Sequence, residues 1–250
     1  MAISFPVTVE LFGHAVLIHP ILESVGIFIA MRFYAFLRKK NKSTLSTIQS
    51  FSIIIGALIG ALIGSKLVGT LENPQAIVDA KNRFLFFWTS NTIVGGLAFG
   101  LIGVEVAKKI IGHKESTGDL ITFPLILAMI IGRIGCFLTG VYEQTYGVET
   151  TSFFGMDLGD GLQRHPVALY EIVYLILLWI LLKRVQKTYR FPAGYIFQLF
   201  MLAYFSFRFL LDFIKPIHPI LFGLSSIQIT CVGVIFYYIF KLSQTKPKLN

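Results

Sequence analysis

Long apolar runs separated by short polar segments are the main pattern along this chain of 250 residues. A helix needs about 20 mostly apolar residues to cross the hydrocarbon core of a bilayer. Segments of this kind lie at residues 16–37, 51–71, 92–111, 119–138, 166–182, 193–214 and 222–240. The runs are continuous rather than alternating, which favours helices over a β-barrel. The pattern therefore predicts an all-α, polytopic membrane protein with about seven transmembrane helices.

The composition supports a membrane protein, because 55% of the residues are hydrophobic, 14% are charged and the mean hydropathy is +0.73. A soluble domain of this length is less apolar. No linker or low-complexity tract interrupts the chain, so we expect a single integral membrane domain over residues 1–250. Before the first run, the alternation around Phe5, Val7 and Val9 predicts either an amphipathic strand or an interfacial segment.

The lysines and arginines lie mainly in every second segment between the predicted helices. With the amino terminus outside, fourteen of them fall on the cytoplasmic side: Arg38, Lys39, Lys40, Lys42, Lys108, Lys109, Lys114, Lys183, Arg184, Lys187, Arg190, Lys241, Lys246 and Lys248. Cytoplasmic loops retain positive charge, so we expect the amino terminus outside and the carboxy terminus in the cytoplasm. The net charge of +9 then reflects topology and attraction to anionic headgroups, and we expect no nucleic-acid partner.

Arg133 and Arg208 each lie inside an apolar run. A guanidinium at mid-bilayer depth costs about 2.5–3.5 kcal/mol on insertion scales, so it usually faces a polar cavity or a buried anion. Asp212 shares a helical face with Arg208, and Glu171 lies near the outer end of the next helix back. These charges form either an ion-pair network that holds helices together or a phosphate site, because forked arginine donors suit phosphate oxygens.

Glycines recur at helical spacing in the second and third predicted helices. Gly56, Gly60 and Gly64 share one face, which predicts close approach of a neighbouring backbone. Gly95 and Gly96 begin a similar series at the outer end of the third helix. There they serve either helix packing or a lipid headgroup that needs space.

Three ordered motifs resemble the prolipoprotein diacylglyceryl transferase family. Residues 132–140 read GRIGCFLTG, similar to the family signature GRxxNFxNxE. Residues 164–171 read RHPVALYE, resembling the family's HPxxLYE box, and residues 208–213 read RFLLDF, resembling its RFxxEF element. Motifs in this order within the same helical frame are far more specific together than any one alone.

The resemblance implies an enzyme of the bacterial cytoplasmic membrane that moves a diacylglyceryl group from phosphatidylglycerol to a lipobox cysteine of a preprolipoprotein. Its partners would be phosphatidylglycerol or a similar anionic phospholipid, the preprolipoprotein and the bilayer, with no cofactor. Cleavage of the carbon–oxygen bond builds negative charge on the phosphate, which Arg133 and Arg208 would stabilise. The acceptor thiol must lose a proton, so a base or a strongly positive site is needed.

The chain departs from the family pattern at residues that matter for chemistry. Ala98 stands where the family has a histidine thought to be catalytic. Cys136 and Thr139 replace both signature asparagines, and Val141 takes the signature glutamate position, with Glu143 two residues later. The base that the resemblance implies is therefore missing from its expected position.

Several residues are candidates for that base. His165 belongs to a matched motif and is the preferred candidate, while Glu143 can substitute after a two-residue slip. His14 and His19 lie on the same predicted side, and His19 is either a base or an interfacial or capping residue. The expected catalytic residues are Arg133, Arg208, His165 and Glu143. The expected substrate-binding residues are Arg164, Tyr170, Glu171, Asp212, Cys136, Thr139 and Gly96.

Two cysteines, Cys136 and Cys231, occur in separate helices without metal-binding spacing, so we expect no metal site. Cys136 next to Arg133 is either a reactive thiol or a small residue in the asparagine's place. Two alternatives to the transferase remain: a relative that acts on another acceptor, and a non-catalytic phospholipid-binding or transport protein.

Overall fold

The computed structural model describes residues 4–41, 45–244 and 248–249, and most of them are helical. The helices are α1 (Ile18–Lys40), α2 (Thr47–Thr70), α3 (Pro74–Asp79), α4 (Arg83–Thr89), α5 (Ile93–Ile110), α6 (Gly118–Thr139), α7 (Val167–Thr188), α8 (Tyr195–Leu211) and α9 (Ser226–Ser243). Three short antiparallel pairs join β1 (Thr8–Leu11) to β2 (His14–Leu17), β3 (Met156–Asp157) to β4 (Gln163–Arg164), and β5 (Tyr189–Arg190) to β6 (Lys248–Leu249). The all-α prediction is confirmed.

Five helices in the described ranges are long and apolar enough to cross a membrane: Ile18–Lys40, Thr47–Thr70, Gly118–Tyr142, Tyr195–Ile214 and Ser226–Ser243. Their outward faces are apolar, as exposures of 67% for Phe28, 62% for Leu58 and 68% for Phe236 illustrate. A surface of this kind suits lipid. The protein is therefore a multi-pass membrane protein.

Helices α5 and α7 coincide with the two other predicted spans but carry more charge. Glu105, Lys108 and Lys109 lie in α5, and α7 contains Glu171 besides a basic carboxyl end. Seven crossings and the sidedness of the termini stay predictions. The sequence pattern also did not reveal α3 and α4, the short helices between α2 and α5.

Glycines bring α2 and α5 into backbone contact. A Cβ atom added to Gly60 would lie 2.3 Å from the carbonyl oxygen of Phe99. One added to Gly103 would lie 2.0 Å from the carbonyl oxygen of Gly56, and one on Gly64 would lie 2.4 Å from that of Gly95. The predicted glycine face is thus confirmed as a packing surface. This contact holds the end of α2 next to the start of α5.

Helix α1 packs along α6, and the amino-terminal hairpin lies at the start of α1 and beside the end of α6. The amide of Val7 donates a hydrogen bond to the carbonyl of Leu138 (2.9 Å), and the ring of Phe5 packs edge-on against Phe137. A strand does form here, but β1 (Thr8–Leu11) includes only Val9 of the three alternating residues, and all four of its residues are exposed. The hairpin leads directly into α1, which places His19 in its first turn.

Asp119 of α6 fixes the start of α8. Its carboxylate accepts hydrogen bonds from the backbone amides of Gly194 (2.6 Å) and Phe197 (3.0 Å). These amides belong to the first turn, where a helix has no internal acceptors for them. The apolar core of α6 to α9 surrounds Phe200 and Tyr204 farther along α8. These contacts fix the position of α8 relative to α6, and with it the position of Arg208 near the end of α8.

We expect Gly60→Ala to lower the melting temperature of the detergent-solubilised protein, because its new methyl group meets the Phe99 carbonyl and must push the helices apart. Overpacking of this kind costs about 1–3 kcal/mol. Gly233→Ala in α9 is the matched control, since a Cβ there meets nothing within 4 Å. Equal melting temperatures for both variants would contradict the tight α2–α5 interface.

Candidate functional site

The carboxylate of Glu171 lies where α6, α7 and α8 meet, and it is fully buried. Arg133 Nε lies 2.9 Å from Oε1, and Arg208 Nη1 donates a hydrogen bond of 2.9 Å to Oε2. The hydroxyl of Tyr204 donates to Oε1 (2.7 Å). A buried charge is tolerated only when it is paired and hydrogen-bonded, and Glu171 is both. The two intramembrane arginines thus converge on one anion.

Local helix geometry explains how these groups meet. Helix α7 begins after Pro166, so Glu171 lies in its second turn, on the side that faces α8. Tyr204 and Arg208 are four residues apart in α8 and therefore share one face. Both consequently reach the same carboxylate from successive turns.

The two arginines differ in access. The side chain of Arg133 is 12% exposed and lines a cavity, whereas that of Arg208 is 4% exposed and does not line it. Two guanidinium groups share one carboxylate, so these three side chains sum to one positive charge. Arg133 carries that charge at the cavity wall. Arg208, which pairs with the same carboxylate but does not line the cavity, adds to the positive potential there.

The cavity has a volume of about 750 Å³ and lies between α1 and α6 on one side and the ends of α2, α4 and α5 on the other. Ligand pockets commonly have volumes of about 300–1,000 Å³. Its rim is polar and includes Glu72 and Asn91, while Leu125 and Met129 form an apolar wall. Ile27 belongs to the same wall and is 56% exposed, so the wall continues to the outer surface of the bundle.

A second polar cluster lines this cavity and consists of His19, Cys136 and Glu143. Nδ1 of His19 lies 2.5 Å from Oε1 of Glu143, and Nε2 lies 3.7 Å from Sγ of Cys136. Nη1 of Arg133 lies 3.5 Å from the same sulfur. The sulfur is therefore placed between an imidazole and a guanidinium, and the far side of the imidazole carries a carboxylate.

Two glycines make this cluster possible. A Cβ on Gly135 would lie 2.7 Å from Cδ2 of His19, so only glycine lets the imidazole pack against α6. Gly140 ends α6 with a φ of +64°, a left-handed conformation that favours glycine. The chain then turns through a short 3₁₀ segment, Gly140–Tyr142, which brings Glu143 back to His19.

Thiol, imidazole and carboxylate are also ligands that zinc accepts, and their donor atoms lie within 4.8 Å of one another. The thiol and the carboxylate, however, approach opposite nitrogens of one ring. A single ion bonds to only one of those nitrogens. The arrangement as it stands suits proton transfer along the line from thiol through imidazole to carboxylate.

His165 and its neighbours in the motif form a separate cluster that does not line the cavity. Nδ1 of His165 lies 3.1 Å from the hydroxyl of Tyr170. Arg164 pairs with Asp160 (2.7 Å), and its guanidinium carbon lies 5.1 Å from the ring centre of Tyr146. The polar groups of these side chains therefore bond to one another at the start of α7.

Three further candidates from the sequence also lie away from the cavity. Asp212 is buried and accepts a hydrogen bond of 2.5 Å from the hydroxyl of Ser225. Thr139 is fully buried and donates to the carbonyl of Gly135 (3.0 Å). Gly96 faces α2, where the nearest atoms to a Cβ would be 3.7 Å away. Among the expected substrate-binding residues, Cys136 is thus the one in the cavity lining.

In the sequence, His19 is one of several candidates for the base and not the preferred one. The structure places it at the centre of the cluster. Its partners Cys136 and Glu143 lie 117 and 124 residues away along the chain. No local pattern records a contact over such separations. Ala98, the position at which the resemblance implies a histidine, lies in the core and does not line the cavity.

Comparison with known proteins gives one consistent result. The family model of prolipoprotein diacylglyceryl transferase matches residues 6–243. Proteins named phosphatidylglycerol–prolipoprotein diacylglyceryl transferase are 32% identical over 177 residues in Nitratidesulfovibrio vulgaris strain DP4 and 26% identical over 225 residues in Clostridium tetani strain Massachusetts / E88. These alignments cover 65% and 84% of this chain, and 60% and 85% of the respective relatives. This chain belongs to the prolipoprotein diacylglyceryl transferase family.

Proposed function

We propose that this protein transfers a diacylglyceryl group from phosphatidylglycerol to the thiol of a lipobox cysteine in a preprolipoprotein. The observation that carries the proposal is the guanidinium of Arg133, which is held by buried Glu171 and lines a cavity with an apolar wall. The family match and the names of the relatives support the same reaction.

We propose further that the chain forms one domain with seven crossings in the bacterial cytoplasmic membrane, with its amino terminus outside. The starts of α1 and α5 and the ends of α2 and α6 all line the cavity, so alternate helix ends meet there. The basic clusters at residues 38–40 and 108–109 lie at the opposite ends of α1 and α5. In this orientation the cavity opens toward the outer leaflet.

In the proposed reaction, Arg133 binds the phosphate of phosphatidylglycerol. Negative charge grows on that phosphate as the glyceryl carbon–oxygen bond breaks, and a preorganised cation in a poorly solvated site stabilises it. Glu171 holds Arg133 in place, and Arg208 is a positioning residue that adds positive charge from behind. Glycerol phosphate leaves with the electron pair of the broken bond.

The acceptor thiol gives its proton to His19 as its sulfur bonds to the glyceryl carbon. Glu143 accepts from the other ring nitrogen, which orients the imidazole and stabilises its charged form. The imidazole of His19 in α1 thus acts as the base, since residue 98, where the resemblance implies a histidine, is alanine. His165 is the alternative base, and with Arg164 and Tyr170 it lies outside the cavity, where an acceptor peptide would approach.

The role of Arg133 can be tested by measuring product formation in vesicles of phosphatidylglycerol with a lipobox peptide. Arg133→Ala should lower the rate of diacylglyceryl-peptide formation about 100- to 1,000-fold, as loss of one preorganised donor does elsewhere. Arg32→Ala, on the exposed surface of α1, is the control and should keep the wild-type rate. Normal transfer by the Arg133 variant would refute the phosphate role.

The wild-type protein should also restore growth to a strain depleted of its own lipoprotein transferase. Correct insertion is checked by reporter fusions at the termini. A correctly inserted protein that neither rescues growth nor modifies the peptide would refute the transferase and leave phospholipid binding as the function.

The second prediction separates the two candidate bases. His19→Gln should lower peptide modification about 100-fold, which is within the usual range for loss of a general base. His165→Gln should change it only a few-fold, because that side chain lies away from the cavity. The reverse order of the two effects would assign the base to His165.

The third prediction concerns Glu171, whose replacement leaves two buried guanidinium groups without an anion. Glu171→Gln should destabilise the protein by about 3–5 kcal/mol, the usual cost of breaking a buried ion pair. Thermal unfolding in detergent measures this, with exposed Glu10→Gln in β1 as the control. A melting temperature equal to that of the control would contradict a central role for the cluster.

A further inference from the structure

The thiol of Cys136 has no part in the proposed transfer, although it is the best-placed nucleophile in the cavity. The acceptor thiol comes from another protein, so that reaction needs a base and a phosphate site but no thiol of its own. Nevertheless the sulfur lies 3.7 Å from Nε2 of His19 and 3.5 Å from Nη1 of Arg133. Glu143 completes the arrangement at the far nitrogen of the ring.

This order of groups is the one used for attack on carbonyl carbons. A thiol is activated by an adjacent base, and a third group orients that base through its other nitrogen. The guanidinium of Arg133 places a positive charge beside the sulfur, and such a charge stabilises a thiolate. The second cysteine, Cys231, lies in the core of α9 outside the cavity lining.

The lipid of the proposed function would bring a suitable carbonyl to this sulfur. In phosphatidylglycerol, the carbon next to the phosphoester carbon carries an acyl ester. Arg133 and Cys136 are three residues apart in α6 and therefore lie on the same face, one turn from each other. Nη1 of Arg133 lies 3.5 Å from the sulfur of Cys136, so a phospholipid whose phosphate is bound by Arg133 would lie beside that sulfur. The acyl chains would lie along Ile27 and Met129.

We propose that Cys136 is an acyl-accepting nucleophile and that the protein is also a phospholipid acyl hydrolase. The thiolate attacks the ester carbonyl carbon, a carbon–sulfur bond forms, and the ester carbon–oxygen bond breaks. His19 takes the thiol proton and passes it to the departing glyceryl oxygen, so that a lysophospholipid leaves. Water then attacks the thioester with His19 as base, which releases a fatty acid and restores the thiol. This proposal rests on the phosphatidylglycerol binding of the proposed function.

The test uses the full chain in phosphatidylglycerol vesicles whose acyl chains carry a label, without acceptor peptide. We expect labelled fatty acid and lysolipid as products, and a label on acid-quenched protein that neutral hydroxylamine removes, as it does from thioesters. Cys136→Ala and Cys136→Ser should lose the protein label and lower fatty-acid release at least about 100-fold. Cys231→Ala is the matched control and should keep both signals. Melting temperatures close to wild type show that the variants are folded.

Other outcomes overturn the proposal in distinguishable ways. A hydroxylamine-resistant label with the mass of a whole diacylglyceryl group would mean that Cys136 is alkylated by the transfer chemistry itself. If the wild-type protein modifies an added lipobox peptide but releases no fatty acid, the transferase stands and the acyl site falls. If neither product forms, both proposals fall. Stoichiometric zinc on the purified protein, lost in Cys136→Ala, would assign the cluster to a metal instead.

Discussion

The buried carboxylate of Glu171 is the constraint on which the rest of the structure depends. It neutralises one of two guanidinium charges that the apolar interior would otherwise exclude, and it ties α6, α7 and α8 together at one depth. Tyr204 satisfies one of its remaining acceptor positions. Because one anion serves two cations, these three side chains sum to one positive charge, which Arg133 brings to a cavity whose lining also contains Glu23, Glu72 and Glu143.

Arg133 connects this cluster to the reactive groups in the cavity. Its Nε faces Glu171, and its Nη1 faces the sulfur of Cys136. A phosphate bound by Arg133 would therefore lie within reach of the imidazole of His19, which touches the same sulfur. In the proposed reaction, the distance between the phosphate and the imidazole is set by this one planar guanidinium, which Glu171 holds at Nε, and such anchoring limits the reorganisation needed during reaction.

The altered signature has a consistent structural explanation. Ala98, where the resemblance implies a histidine, and Glu143, two residues beyond the position of the signature glutamate, look unrelated in sequence. In the fold, Glu143 hydrogen-bonds to His19, and Gly135 of the signature leaves space for that imidazole. Cys136 and Glu143 thus belong to one cluster around His19, whereas Ala98 lies outside it.

Hydropathy and glycine spacing by themselves determined the helical membrane character and the glycine face of α2 that allows close approach of another backbone, because both depend on residues close together in the chain; the structure showed that this backbone is α5. Helix α1 at Ile18–Lys40, for instance, follows the predicted run at residues 16–37. The convergence of Arg133 and Arg208 on Glu171, and the contact of His19 with Glu143 across 124 residues, were decided only by tertiary packing. Such contacts depend on which helix faces pair and on how the chain turns after Gly140, and no pattern of neighbouring residues encodes that.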